Sequence, residues 1–200
     1  MPREEKIESL KRVAQEKRKD IGRAIGIDAE FRPLQLVYNG PTGIIVVSVE
    51  RMSSGIYDRR LFFRHRFEAQ YRQLGTPPRD VHHDNVITSL TRPFVYCRAT
   101  RVTKNDMPGE FSGNWLSVER FDLARQTNES VLSEGGLELP ERYVSGWVSQ
   151  LHGVSSDDAM LFCTCGLQRP NEGDVHHWLC GVELGRARVS LVSRLEGIWY

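Results

Sequence analysis

The sequence predicts an all-β protein made of three consecutive four-stranded antiparallel meander sheets, preceded by one N-terminal α-helix. Three observations carry this. From Leu34 onward the apolar runs are short, rich in β-branched and aromatic residues, and separated by turn residues such as Asn39-Gly40-Pro41 and Gly135-Gly136. Several runs alternate in polarity with the period of a strand. The same order of four runs also occurs three times, which is the mark of a repeat architecture.

Residues 1–33 form the N-terminal segment. Over Arg3–Asp20 the apolar residues Ile7, Leu10, Val13 and Ala14, with Ile21 just beyond, fall near helical spacing. Glu4 and Glu5 stand in the first turn and Lys17, Arg18 and Lys19 near the end, which suits the helix dipole. The apolar stripe is narrow, so the helix is read as a solvated arm or as a helix that docks on a partner by one edge. Residues 34–200 form the β domain, with units over about 34–75, 85–136 and 144–197. The first unit has runs at Leu34–Tyr38, Gly43–Val49, Arg60–Ala69 and Tyr71–Leu74. The second has Val86–Leu90, Phe94–Val102, Trp115–Leu123 and Glu129–Leu132. The third has Val148–Val154, Ala159–Cys165, Trp178–Leu184 and Val189–Leu195.

Laid over one another, the second strands read Ile44-Ile45-Val46-Val47, Phe94-Val95-Tyr96-Cys97 and Met160-Leu161-Phe162-Cys163. The third strands end in an apolar–acidic–apolar or small triplet: Phe67-Glu68-Ala69, Phe121-Asp122-Leu123 and Val182-Glu183-Leu184. A four-stranded sheet cannot bury both faces alone, and stacking such sheets radially solves the problem.

The stretch Gly153-Val154-Ser155-Ser156-Asp157-Asp158-Ala159-Met160-Leu161-Phe162 resembles the Ser-Pro-Asp-Gly turn and apolar strand of TolB-like β-propeller blades, a pattern of WD40-like general character. Trp115–Leu123 and Trp178–Leu184 are similar to the partner strand of that family. Ser156 stands where the family has Pro and Asp158 where it has Gly. The resemblance implies sheets of β-propeller type over 34–200. Three units are fewer than the four that close a ring, so an incomplete propeller is expected, completed by self-association, by a protein partner at the open sheet edge, or by further sequence, with an open sheet stack or sandwich as the alternative.

The chain has 200 residues, 40% hydrophobic and 26% charged, with a formal net charge of +1. Such a balance suits a soluble domain and does not point to a nucleic-acid partner. No apolar run has the length of a membrane span, and the charged N-terminus does not resemble a secretion signal. The expected compartment is therefore the reducing cytoplasm, and the four cysteines, Cys97, Cys163, Cys165 and Cys180, are expected to be free thiols. Cys163 and Cys165 share a strand face and look like half a metal site. Against this, Val47 occupies the position of Cys97 and Cys163 in the first unit, which favours core packing.

Three groups of residues are candidates for chemistry. His82, His83 and Asp84, read as a loop entering a first strand, offer imidazole and carboxylate ligands for a divalent metal such as Mn or Zn. Arg60, Arg64 and Arg66, read on one strand face, offer guanidiniums for a phosphate or carboxylate. His152 joins them in the enzymatic reading, a metal-dependent sugar-acid lyase or hydrolase of propeller fold, which the resemblance implies. The leading expectation is a non-catalytic binding or scaffold protein without a cofactor, presenting the channel mouth or the loops 103–113 and 167–176 to a partner. A structural subunit of a larger assembly is the third reading. No nucleophile elbow, zinc-protease motif, phosphate loop or dinucleotide fingerprint occurs in the sequence.

Overall fold

The computed structural model describes residues 32–39, 43–53, 56–78, 80–101 and 114–195. The expected helix over Arg3–Asp20 and the loop 103–113 lie outside the described residues. Those residues form twelve β-strands in three four-stranded antiparallel sheets. The first sheet is β1 (Arg32–Asn39), β2 (Ile44–Ser53), β3 (Ile56–His65) and β4 (Arg72–Gln73). The second is β5 (Val81–Thr88), β6 (Phe94–Arg101), β7 (Asn114–Asp122) and β8 (Thr127–Ser133). The third is β9 (Ser145–Val154), β10 (Met160–Gln168), β11 (Val175–Glu183) and β12 (Arg188–Arg194). In each, spatial order follows chain order. The chain divides into two compact units between Thr76 and Pro77.

In the first unit, the alternation of the β2–β3 pair places Val47, Val49 and Phe62 in one cluster, with Ile45 and Tyr71 packed on it. Val46, Leu61 and Phe63, on the opposite face, are buried as well. A strand with branched apolar residues on both faces is one that the fold covers on both sides.

The register defines equivalent positions. Arg66 N donates to Gly43 O, Leu123 N to Pro93 O and Leu184 N to Ala159 O, so Gly43, Pro93 and Ala159 correspond. It follows that Ile44, Phe94 and Met160 correspond, as do Val47, Cys97 and Cys163. The cross-strand partners of Ile44, Phe94 and Met160 are His65, Asp122 and Glu183. The first-unit triplet is therefore Arg64-His65-Arg66, not Phe67-Glu68-Ala69. Strand β3 ends at His65, and Phe67 lies in the turn beyond it, 95% exposed. That turn is held by Glu68, whose carboxylate accepts from His65 N at 3.0 Å and from Arg72 Nη2 at 3.0 Å. These bonds outweigh the strand propensity of Phe67.

In the second unit the second and third sheets pack face to face. Tyr96, Trp115, Val118 and Leu132 of one meet Val148, Leu151, Leu161, Cys163, Cys165, Leu167, Cys180 and Val182 of the other in one core. Strand β9 runs against β5, β6 and β7. The connector between the sheets is not slack. Glu138 bridges β12, donating to Ala187 O and accepting from Val189 N, each at 2.9 Å. Val144 N then donates to Gln168 O at 3.0 Å, and Leu137 and Leu139 pack on the core. The start of the β12 edge, expected to await a partner, is thus taken up by the chain itself.

Candidate functional site

His82, His83 and Asp84 lie in strand β5 and not in a loop, and all three are buried. The chain enters the strand earlier than the position of Pro77-Pro78 suggests, because Val81 already pairs with Arg101. Alternation then separates the group. His82 and Asp84 face one way, opposite Thr100 and Arg98, and His83 faces the other. Asp84 is bound in a fork by Arg98, with Nε to Oδ1 at 2.7 Å and Nη2 to Oδ2 at 2.9 Å. The same guanidinium donates through Nη1 to Ser149 O in β9. Beside it the bulge residue Asn85, at φ 51, accepts from Leu151 N at 3.1 Å. The Asp84 carboxylate is therefore engaged in joining two sheets.

His83 is 1% exposed. Its Nε2 lies 3.2 Å from Glu119 Oε2, out of line for a well-formed hydrogen bond, and its ring stands edge-on to Phe121 at 5.4 Å. Burial works to raise the Glu119 carboxyl, but the His83 and Asn128 side chains outweigh it and hold the group below the ordinary carboxylate range. Cys97 sits opposite Glu119, fully buried. Burial, then the charges of Glu119 and Asp84, pushes its thiol well up, so it is kept protonated. Cys97 and His83 in this Cys–His–Glu set are closed off from solvent, and the sulfur is not activated.

The arginines do not share an open face. Arg60 is buried within β3. Arg64 donates to Glu68 O at 2.6 Å and lies over the Tyr71 ring at 4.9 Å. Arg66 stands beyond the strand end, its Nε against Gly43. His152 is the extra residue of a β9 bulge and is exposed, with Nε2 2.8 Å from Thr164 Oγ1. It lies on the far face of the third sheet from the second, so it does not converge with His82. Among the described residues no group of three His, Cys, Asp or Glu side chains is placed to hold a metal ion. Cys163 and Cys165 lie 3.6 Å apart in the core, as free thiols.

Two features were not among the candidates. One is the rim where the connector meets the 167–176 loop. There Tyr143 is buried, Arg142 lies over both Tyr143 and Trp178 (5.4 and 5.5 Å), and Arg169 lies over Tyr143 at 5.9 Å. Alternation in sequence signals none of this, since Pro140-Glu141-Arg142-Tyr143 reads as a plain polar turn. The other is the open face of the third sheet. Phe162 corresponds to Tyr96, whose side chain is fully buried beneath that sheet, yet Phe162 is 41% exposed. The sequence repeat held this signal, because a strand buried on one face only should not carry Phe at an outward position.

No protein-family model matches the chain, and no curated protein matches it. No helix among the described residues is long and apolar enough to cross a membrane.

Proposed function

We propose that the protein is a non-catalytic binding or scaffold protein, built from blade-like sheets of β-propeller, TolB-like type, and that it binds through the open face of its third sheet. One observation carries the reading. The second and third sheets are stacked in the same orientation, so that the outer face of the third repeats the face of the second that is already covered. That covered face carries Phe94, Tyr96 and Val118, and its counterpart carries Met160, Phe162 and Leu179. Apolar positions that recur on a face which no sheet covers among the described residues mark a protein-binding surface.

The test is photo-cross-linking in cells with benzoyl-phenylalanine at position 162. A discrete adduct is expected there and not at position 90, in the exposed β5–β6 turn. The absence of any adduct at 162 defeats the reading.

A further inference from the structure

We infer that the occupant of this open face is the same face of a second copy of the chain, related by a two-fold axis. The inference rests on the binding reading above and names its partner.

The face is built to be its own complement. Phe162 in β10 pairs across the sheet with Gly153 on one side and Gly181 on the other. A side-chain carbon at Gly181 would meet Met160 Cε at 3.0 Å and Phe162 Cε1 at 4.0 Å, so ring and thioether lie over that glycine. At Gly153 nothing outside its own chain neighbours His152 and Val154 lies within 4 Å of the same position. A protruding ring thus stands beside an empty notch. Two-fold pairing puts each Phe162 into the other copy's Gly153 notch, the reciprocal contact that an isologous interface requires. Further along the face Trp147 lies across Gly166, so that notch is already filled. The open one is at Gly153.

Charge permits the pairing. Glu183 and Arg188, on the same face, lie 3.1 Å apart and neutralise one another. The neighbours of Phe162 along the face are Thr164, which His152 contacts at 2.8 Å, together with Gln150 and Ser190, and none of these is a carboxylate or a guanidinium. With His152 neutral, apposing two such faces sets no like charges against each other. A head-to-tail arrangement would instead need the first sheet of the second copy to offer the face equivalent to Cys163. That face carries Val47 and Val49, and both are buried in this chain, Val49 completely. It is not free to receive a partner, and this decides for the two-fold arrangement.

Four strands about 4.8 Å apart and about seven residues long give a face of about 450 Å², hence about 900 Å² buried in total. This is at the low end for specific complexes and implies a reversible dimer.

The test is sedimentation equilibrium of the full chain from about 5 to 300 µM, with Phe162→Glu and Gly153→Val compared. Wild-type chain is expected to dimerise reversibly. Each variant should weaken the dimer at least about tenfold. The space at Gly153 lets Val fill the notch without meeting the neighbouring strands, so its far-UV spectrum and urea midpoint should match wild type. Wild-type chain that stays monomeric throughout, or dimers that survive both variants, overturns the inference. The mass of the adduct at position 162 separates the two readings. Twice the chain mass supports pairing of copies. Another mass overturns it and leaves the binding reading standing.

Discussion

The Tyr96 hydroxyl donates to Asp158 Oδ1 at 2.9 Å, joining the middle of the second sheet to the first hairpin of the third. The other carboxylate oxygen accepts from Ser89 Oγ at 2.9 Å, and that oxygen in turn accepts from Thr91 N and Arg92 N. One buried carboxylate therefore fastens two hairpin turns. Asp158 has φ 58, in the left-handed region where the resembling blade turn carries Gly. Asp tolerates this backbone better than most residues and adds the acceptor that Gly lacks. Asp158→Ala should cost about 3 kcal/mol, since it strands two buried hydroxyls. Tyr96→Phe should cost about 1 kcal/mol, since Ser89 still serves the carboxylate. Urea unfolding of both single variants and the double variant checks this. Additive losses would show that the pair is not coupled.

The same contact makes an alkaline prediction. Burial first, and then the hydrogen bond to Asp158, pushes the Tyr96 hydroxyl up to about 12. An unfolded tyrosine ionises near pH 10. A group whose folded value is raised contributes stability that is complete below the unfolded value and lost as pH rises through the folded one. Stability should therefore fall between about pH 10 and 12, and Tyr96→Phe should flatten that fall. Absorbance at the phenolate band should show a late ionising step that is missing from Tyr96→Phe.

The arginines allow a direct comparison of buried and exposed pairs. Arg98 binds Asp84, which is buried, and reaches across to Ser149 O. Arg101 pairs with Asp80 at 3.2 Å where both side chains are more than half exposed. Removing Arg98 leaves a buried carboxylate unpaired, at about 3–5 kcal/mol. Removing Arg101 should cost less than about 1 kcal/mol. Urea midpoints of Arg98→Ala and Arg101→Ala measure the difference. Equal losses would remove the role assigned to Arg98 as a tie between sheets.

These ties explain which parts of the molecule were legible in sequence. Turn residues and alternation located four strands in each sheet, because both are local signals. The end of β3 was misplaced because Glu68 folds the chain back by side-chain bonds to His65 and Arg72, which leave no periodic trace. His82-His83-Asp84 reads as a loop in sequence because polar residues in a first strand look like a loop until their partners on β6 and β9 are known. The equivalence of Val47, Cys97 and Cys163 was legible, and it gave the right account of the cysteines as core. The meaning of Phe162 was not, since it depends on which face is covered.

The core cysteines provide the last prediction. Cys163 faces Cys165 at 3.6 Å and pairs across the sheet with Cys180. The hydrogen bond shared with Cys163 and then burial raise the Cys165 thiol, and contact with Cys165 and then burial raise that of Cys180. The thiolate is the reactive form, so Cys165 and Cys180 are doubly protected, by lack of access and by lack of ionisation, and Cys163 is protected by burial. Native protein at neutral pH should react with an aromatic disulfide reagent only at the rate of unfolding, and all four thiols should react in denaturant. Cys163→Val should be tolerated within about 1.5 kcal/mol, since it is nearly volume-conserving and reproduces what the first sheet has at Val47. A fast-reacting thiol in the folded protein, or a zinc ion lost on Cys163→Val, would give this cluster a chemical role in place of a packing one.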